Sequence, residues 1–239
     1  MSEDAVPIIL LPGLGMDERL FAMQKLEFST IQVPEWLPHR TFESLADYGR
    51  RMAEAVDPGK PCYVGGMSFG GMVALEMARH LDCRGCFLIS SVRSFQDFPD
   101  WARFLGPWSY ILPPRSDLLL AGFSSAALWT FGRLLPPAPR QFLSNVSKLR
   151  APIMPWACRA VYSWKPAQPL PGPIFQIHGA TDKMLPAQRS HAEEFVPQGG
   201  HYLPLLQPFV INDFLRRKIT GQERSLSHKD IELQSPPRR

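Results

Sequence analysis

Between Cys62 and Leu81 the chain has room for little except a strand, a sharp turn and a helix. Cys62-Tyr63-Val64 is a short apolar run, Gly66 through Gly71 is glycine-rich, and Val73, Leu75, Met77, Ala78 and Leu81 then supply the apolar side of a helix. A strand that turns straight into a helix is the building unit of a parallel sheet, whose strands need long crossovers. The unit recurs along the chain. Ile8-Ile9-Leu10-Leu11 is a continuous apolar run closed by Pro12-Gly13, as in a strand buried on both faces. Asp17 is placed to cap a first helix reaching Leu26, and Ile31-Gln32-Val33 is a second strand ending at Pro34. Thr41 stands as the cap of a helix whose stripe is Leu45, Tyr48, Met52 and Val56, stopped by Asp57-Pro58-Gly59. Strands follow at Cys86-Phe87-Leu88-Ile89 and from Pro173 to His178, and Phe209 to Ile219 is a closing helix. The expectation is an α/β fold with a mostly parallel sheet flanked by helices on both faces.

One stretch breaks the alternation. Residues 92–171 hold about half of the 25 prolines and five of the six tryptophans, namely Trp101, Trp108, Trp129, Trp156 and Trp164, with no strand-length β-branched run. They are expected to form a helical lid inserted over the carboxyl ends of the strands, where ligands bind in such sheets. The core is then residues 1–91 and 172–219, one domain in two pieces. From Thr220 to the end the composition turns polar, and residues 220–239 are expected to be a disordered tail.

Charge and composition remove several function classes. The net charge is +4 and the isoelectric point near 9.0, but Arg224, Lys229, Arg238 and Arg239 in the tail carry part of that excess. No basic stripe is interleaved with aromatics, so nucleic acid is not an expected partner. Leu118 to Leu135 nears the length of a membrane span but is interrupted by Gly122, Ser124, Ser125, Gly132 and Arg133, which argues against membrane contact. Met1-Ser2-Glu3-Asp4 lacks the basic start of a signal peptide, and the few cysteines include no completed metal or redox set, so buried thiols and a cytoplasmic location are expected. Gly13-Leu14-Gly15 has neither the third glycine nor the acidic residue of a dinucleotide site. No cofactor and no metal are expected.

The residues that carry chemistry lie in the glycine-rich turn and near the C-terminal end. Gly66-Met67-Ser68-Phe69-Gly70 is a G-x-S-x-G run between a strand and a helix, the context in which a serine hydroxyl is thrust out of a strained turn. A hydroxyl is a weak nucleophile near neutral pH and needs a base within hydrogen-bond reach, itself oriented by a third group. Asp182, in His178-Gly179-Ala180-Thr181-Asp182, and His201, in Gly199-Gly200-His201-Tyr202, supply the candidates in the order serine, acid, histidine. Asp97 is an alternative acid after the preceding strand. His178 points along a strand beside the site and is expected to be structural, and His80 and His191 to lie on helix surfaces.

From Ile8-Ile9-Leu10-Leu11-Pro12-Gly13-Leu14-Gly15 through the serine turn to Gly199-Gly200-His201, the chain resembles the α/β-hydrolase superfamily. It departs from that pattern at Pro12-Gly13, where many relatives have His-Gly, and in the short stretch from Asp182 to His201, which leaves little room for a last helix before the final strand. The resemblance implies that the N–H groups of Leu14 and Phe69 form an oxyanion hole around Ser68. It implies a serine hydrolase in which Ser68, His201 and Asp182 cleave a small or medium carboxylic ester through an acyl-enzyme. Thioester cleavage, acyl transfer and carbon–carbon bond hydrolysis would use the same parts, and a binding protein on the same scaffold is an alternative of another class. The expected partner is a small apolar ester, its pocket lined in part by the lid aromatics; the oligomeric state is not legible.

Overall fold

The computed structural model describes residues 5–105, 153–166 and 172–234. Six parallel strands form one sheet in the order β2-β1-β3-β4-β5-β6. They are β1 (Ile8–Leu11), β2 (Ile31–Gln32), β3 (Cys62–Met67), β4 (Cys83–Ile89), β5 (Ile174–Gly179) and β6 (Glu194–Val196). Successive strand residues face opposite sides, so each strand feeds two cores. On one side Ile9, Leu11, Val64, Cys86 and Leu88 pack with helices α2 (Leu45–Val56), α3 (Phe69–Met77) and α5 (Ile153–Tyr162). On the other, Ile8, Leu10, Tyr63, Phe87, Ile89 and Ile177 pack with Phe21, with Leu203 of the short α6 (Leu203–Leu206), and with Ile211, Phe214 and Leu215 of a long C-terminal helix, α7 (Pro208–Gln234). A sheet covered on both faces is what the continuous apolar runs require.

Sequence and structure differ at several element boundaries. Asp17 does cap the first turn, accepting the Arg19 N–H at 3.0 Å, but that turn is a 3-10 helix (Glu18–Phe21) that runs into α1 (Ala22–Glu27). The cap of α2 is Ser44, not Thr41: Ser44 Oγ accepts the Asp47 N–H at 3.1 Å. Phe42, at φ 59, breaks the backbone between the two hydroxyls, and the Glu43 carboxylate is taken by Arg51. The chain from 220 to 234, expected to be disordered, continues α7. Gln222, Glu223 and Arg224 are good helix formers, no proline intervenes before Pro236, and Glu223 meets Arg84 at 3.9 Å. Between β5 and β6 only a short 3-10 turn (Ala187–Arg189) remains where a last helix was in question. β6 itself, with its polar flank Glu193-Glu194, is held at the sheet edge by Arg217, which grips Glu194 at 3.0 and 2.7 Å, and by Lys218.

Of the expected lid over 92–171, residues 106–152 and 167–171 lie outside the described residues, and with them Trp108, Trp129 and the span Leu118 to Leu135. The flanking pieces are described. A 3-10 turn (Phe95–Asp97) and α4 (Asp100–Leu105) lead out of β4, and α5 leads back. Two tryptophans fasten that return. Trp156 donates its indole N–H to Glu43 O at 2.8 Å and packs against Tyr48 and Phe69. Trp164 donates to the buried Glu76 carboxylate at 2.7 Å. Both rings belong to the core beneath α2 and α3 rather than to a separate cluster of their own. Among the described residues, no helix is long and apolar enough to cross a membrane.

Candidate active site

The parallel register brings the strand ends to one edge. Met67 pairs with Ile89, Ile89 with Ile177, and Gly179 with Val196, so the segments carrying Ser68, Asp182 and His201 all leave the same carboxyl edge of the sheet. Ser68 follows β3 at φ 54 and ψ −122, a conformation that L-residues avoid and that only surrounding constraints can hold. The constraint is close packing of α3 on β1. A Cβ on Gly70 would stand 2.3 Å from Leu11 O, and one on Gly66 2.5 Å from the Gly70 carbonyl carbon, so any side chain at either place would pry the helix away from the strands. The Ser68 carbonyl accepts the Gly71 N–H at 3.0 Å and the Ser91 hydroxyl at 2.7 Å. Ser91 is in turn held through its carbonyl by the buried Gln176 amide at 3.0 Å, and Gln176 accepts from Arg93 Nε at 2.7 Å.

Asp182 sits in a different kind of setting. Its Oδ1 accepts the Met184 and Leu185 N–H groups at 2.8 and 3.0 Å, and its Oδ2 accepts His201 Nδ1 at 2.7 Å. Burial pushes this carboxyl up, but hydrogen bonds from His178 and His201, the His201 charge and the Leu185 N–H together pull it well below the usual carboxylate range. The histidine arrives by a close crossing of two loops. Thr181 donates both its N–H and its hydroxyl to Gly199 O, at 2.9 and 2.8 Å, and Gly179 has no Cβ because one would lie 2.3 Å from Gly200 O. Asp182 and His201 are buried, whereas Ser68 is half-buried. Among the described residues, the hydrogen bond of the His201 ring goes to Asp182 and none joins it to Ser68 Oγ. Such contacts are commonly long before substrate binds.

The other candidates fall where their partners place them. Asp97 accepts the Arg93 and Ser94 N–H groups at 3.0 and 2.9 Å and faces His191 at 3.3 Å, so it caps its own turn, and the carboxylate bonded to His201 is that of Asp182. His191 lies in a loop rather than on a helix, and His80 is exposed just past α3. The Pro12-Gly13-Leu14 turn lies against the serine, since a Cβ on Gly13 would stand 3.7 Å from Ser68 Cβ. Phe69 opens α3 directly after Ser68, so its N–H has no intrahelical partner. His178 reaches the acid itself, and Ser91 the serine carbonyl; neither contact was legible locally. A polar pair at i and i+2, Gln176 and His178, inside an otherwise apolar strand was the available signal. Among the described residues no three His, Cys, Asp or Glu side chains are grouped to hold a metal ion.

The model of the alpha/beta hydrolase family matches residues 8–214, and the chain belongs to that family. No curated protein sequence matches it. Solved structures share the fold at low identity. A thermophilic esterase from Thermogutta terrifontis is 16% identical, with a TM-score of 0.58 over 91% of this chain and 90% of that one. The N-acyl homoserine lactonase AidH is 17% identical, with a TM-score of 0.58 over 92% and 91%. The NocB thioesterase domain, solved as a covalent complex with a fluorophosphonate, is 17% identical, with a TM-score of 0.57 over 90% and 95%.

Proposed function

We propose that the protein is a serine hydrolase that cleaves a small or medium carboxylic ester through an acyl-enzyme, with Ser68 as nucleophile, His201 as general base and Asp182 as the acid that orients it. The observation that carries this reading is the pairing of a half-buried serine held at φ 54 with a histidine whose Nδ1 is fixed 2.7 Å from a buried carboxylate at the same sheet edge. With Nδ1 engaged as donor, Nε2 carries the lone pair, which is the tautomer a general base needs. Ser68 attacks the acyl carbon as its proton passes to His201 Nε2. The oxyanion develops beside the N–H groups of Leu14 and Phe69, each such donor being worth about 3 kcal/mol of barrier. His201 returns the proton to the leaving alcohol, and water reverses the sequence on the acyl-enzyme. Esters, lactones and thioesters share this acyl chemistry, and the structural neighbours named for each support it as a class.

A fluorophosphonate probe tests the reading directly, because it labels only an activated serine. Stoichiometric labelling that maps to Ser68, is lost in Ser68→Ala and slowed in His201→Ala is expected. A folded protein that stays unlabelled at reactive concentrations would point to a binding role instead.

A further inference from the structure

Asp182 has a second histidine. β5 sends Gln176 and His178 to the same face, and His178 is wholly enclosed. Its Nε2 lies 2.7 Å from Leu185 O and 3.3 Å from Asp182 Oδ2. Both neighbours are acceptors, so the hydrogen belongs on Nε2 and is shared between them. His178 Nδ1 is left buried with no partner, a cost that a leucine of similar size would not incur. A side chain retained at that cost is there for its donor. The donor closes a polar ring: Asp182 Oδ1 accepts the Leu185 N–H, Leu185 O accepts from His178, and His178 Nε2 stands 3.3 Å from Asp182 Oδ2. Without it the carboxylate keeps its two backbone donors on Oδ1 but can pivot about them, and Oδ2 faces His201 alone.

We infer that His178 is a positioning residue for the reaction proposed above, fixing the plane of the Asp182 carboxylate, and through it the His201 ring, by a hydrogen bond shared between Asp182 Oδ2 and Leu185 O. It touches no substrate. Its effect therefore belongs in kcat rather than KM, and it exists only while Asp182 is there to be oriented.

Steady-state hydrolysis of a short-chain p-nitrophenyl ester by His178→Leu and His178→Gln, each alone and combined with Asp182→Asn, reads this out. His178→Leu is expected to lower kcat about tenfold with KM changed less than about twofold, and His178→Gln, which keeps a donor near the Nε2 position, to retain most of the rate. The leucine penalty is expected to vanish in the Asp182→Asn background, where the single and double variants become equally slow. Should His178→Leu melt below the assay temperature, His178→Met makes the same comparison. An unchanged kcat in His178→Leu, or the same loss persisting on top of Asp182→Asn, would overturn the inference, since the ring would then serve packing alone. Those outcomes leave the proposed reaction standing as long as Asp182→Asn is itself slow; if Asp182→Asn turns over like the parent, the acid assignment falls and this inference falls with it.

Discussion

The turn at Ser68 and the loop at Asp182 follow β3 and β5, two strands separated in the sheet by β4, and they hold their side chains by opposite means. At Ser68 the work is done by backbone and by missing side chains. The residue is held at φ 54 because α3 presses onto β1 through Gly66 and Gly70, and its hydroxyl does not cap α3. At Asp182 the backbone is ordinary and the side chain is saturated, with two N–H groups on Oδ1 and two histidines on Oδ2. A nucleophile must stay free to react, so only covalent geometry can aim it. An acid that never leaves its station can be wired in place.

Substitutions should separate the two strategies. Short of removing the proposed nucleophile itself, the largest effect is expected for Asp182→Asn, which keeps the shape but loses the charge proposed to hold the His201 tautomer. Ester kcat should fall by about 10³ to 10⁴, and a fall of less than tenfold would mean that the wiring is dispensable. The same variant carries a pH signature. The folded carboxyl lies below its unfolded value of about 4, so its contribution to stability is present above that pH and is lost as pH falls through the acid range. Melting curves between neutral pH and about pH 3 should drop less steeply at the acid end for Asp182→Asn than for the parent.

Trp156→Ala comes next, with an expected loss of about 3 to 5 kcal/mol in denaturant unfolding, because the ring fills core between Tyr48 and Phe69. Preference for acyl chain length should stay as in the parent; a changed preference with normal stability would return this ring to the substrate pocket. Ser68→Gly should move stability the other way, gaining about 1 kcal/mol as the strained turn relaxes, while activity is abolished. No gain would mean that the elbow is unstrained, and the contrast with the acid loop would weaken. The smallest effect belongs to Asp97→Asn, which should keep kcat within about twofold and cost about 0.5 kcal/mol at its turn. A loss of rate matching that of Asp182→Asn would move the acid to the loop after β4.

The same contrast explains what could be read from residues alone. β1, β3, β4 and β5 are buried on both faces, so their apolar runs are visible without neighbours, whereas β6 is an edge strand of Glu194, Phe195 and Val196 with Phe195 about half exposed, and pairing partners define it. Residues 221–225 of α7 are mostly exposed, and polarity alone does not distinguish a solvated helix from a disordered tail. At the site, Ser68 lies between Gly66 and Gly70, Asp182 three residues after Gly179 and His201 directly after Gly199-Gly200, and such glycines are where tight turns leave their trace. Ser91 and His178 act across space, by a hydroxyl on the carbonyl of a residue in another element and a ring shared between two acceptors, and such contacts have no local motif.

The two indole anchors on the return path decide where the chain re-enters the core. Trp156 and Trp164 tie the chain to Glu43 and Glu76, and α4 is tethered where Asp100 meets Arg189 at 2.7 Å. Whatever lies between 105 and 153 therefore starts and finishes at fixed points. The two described ends of the inserted stretch are thus set by contacts with the core itself, an ion pair at the outgoing end and two indole hydrogen bonds at the returning one.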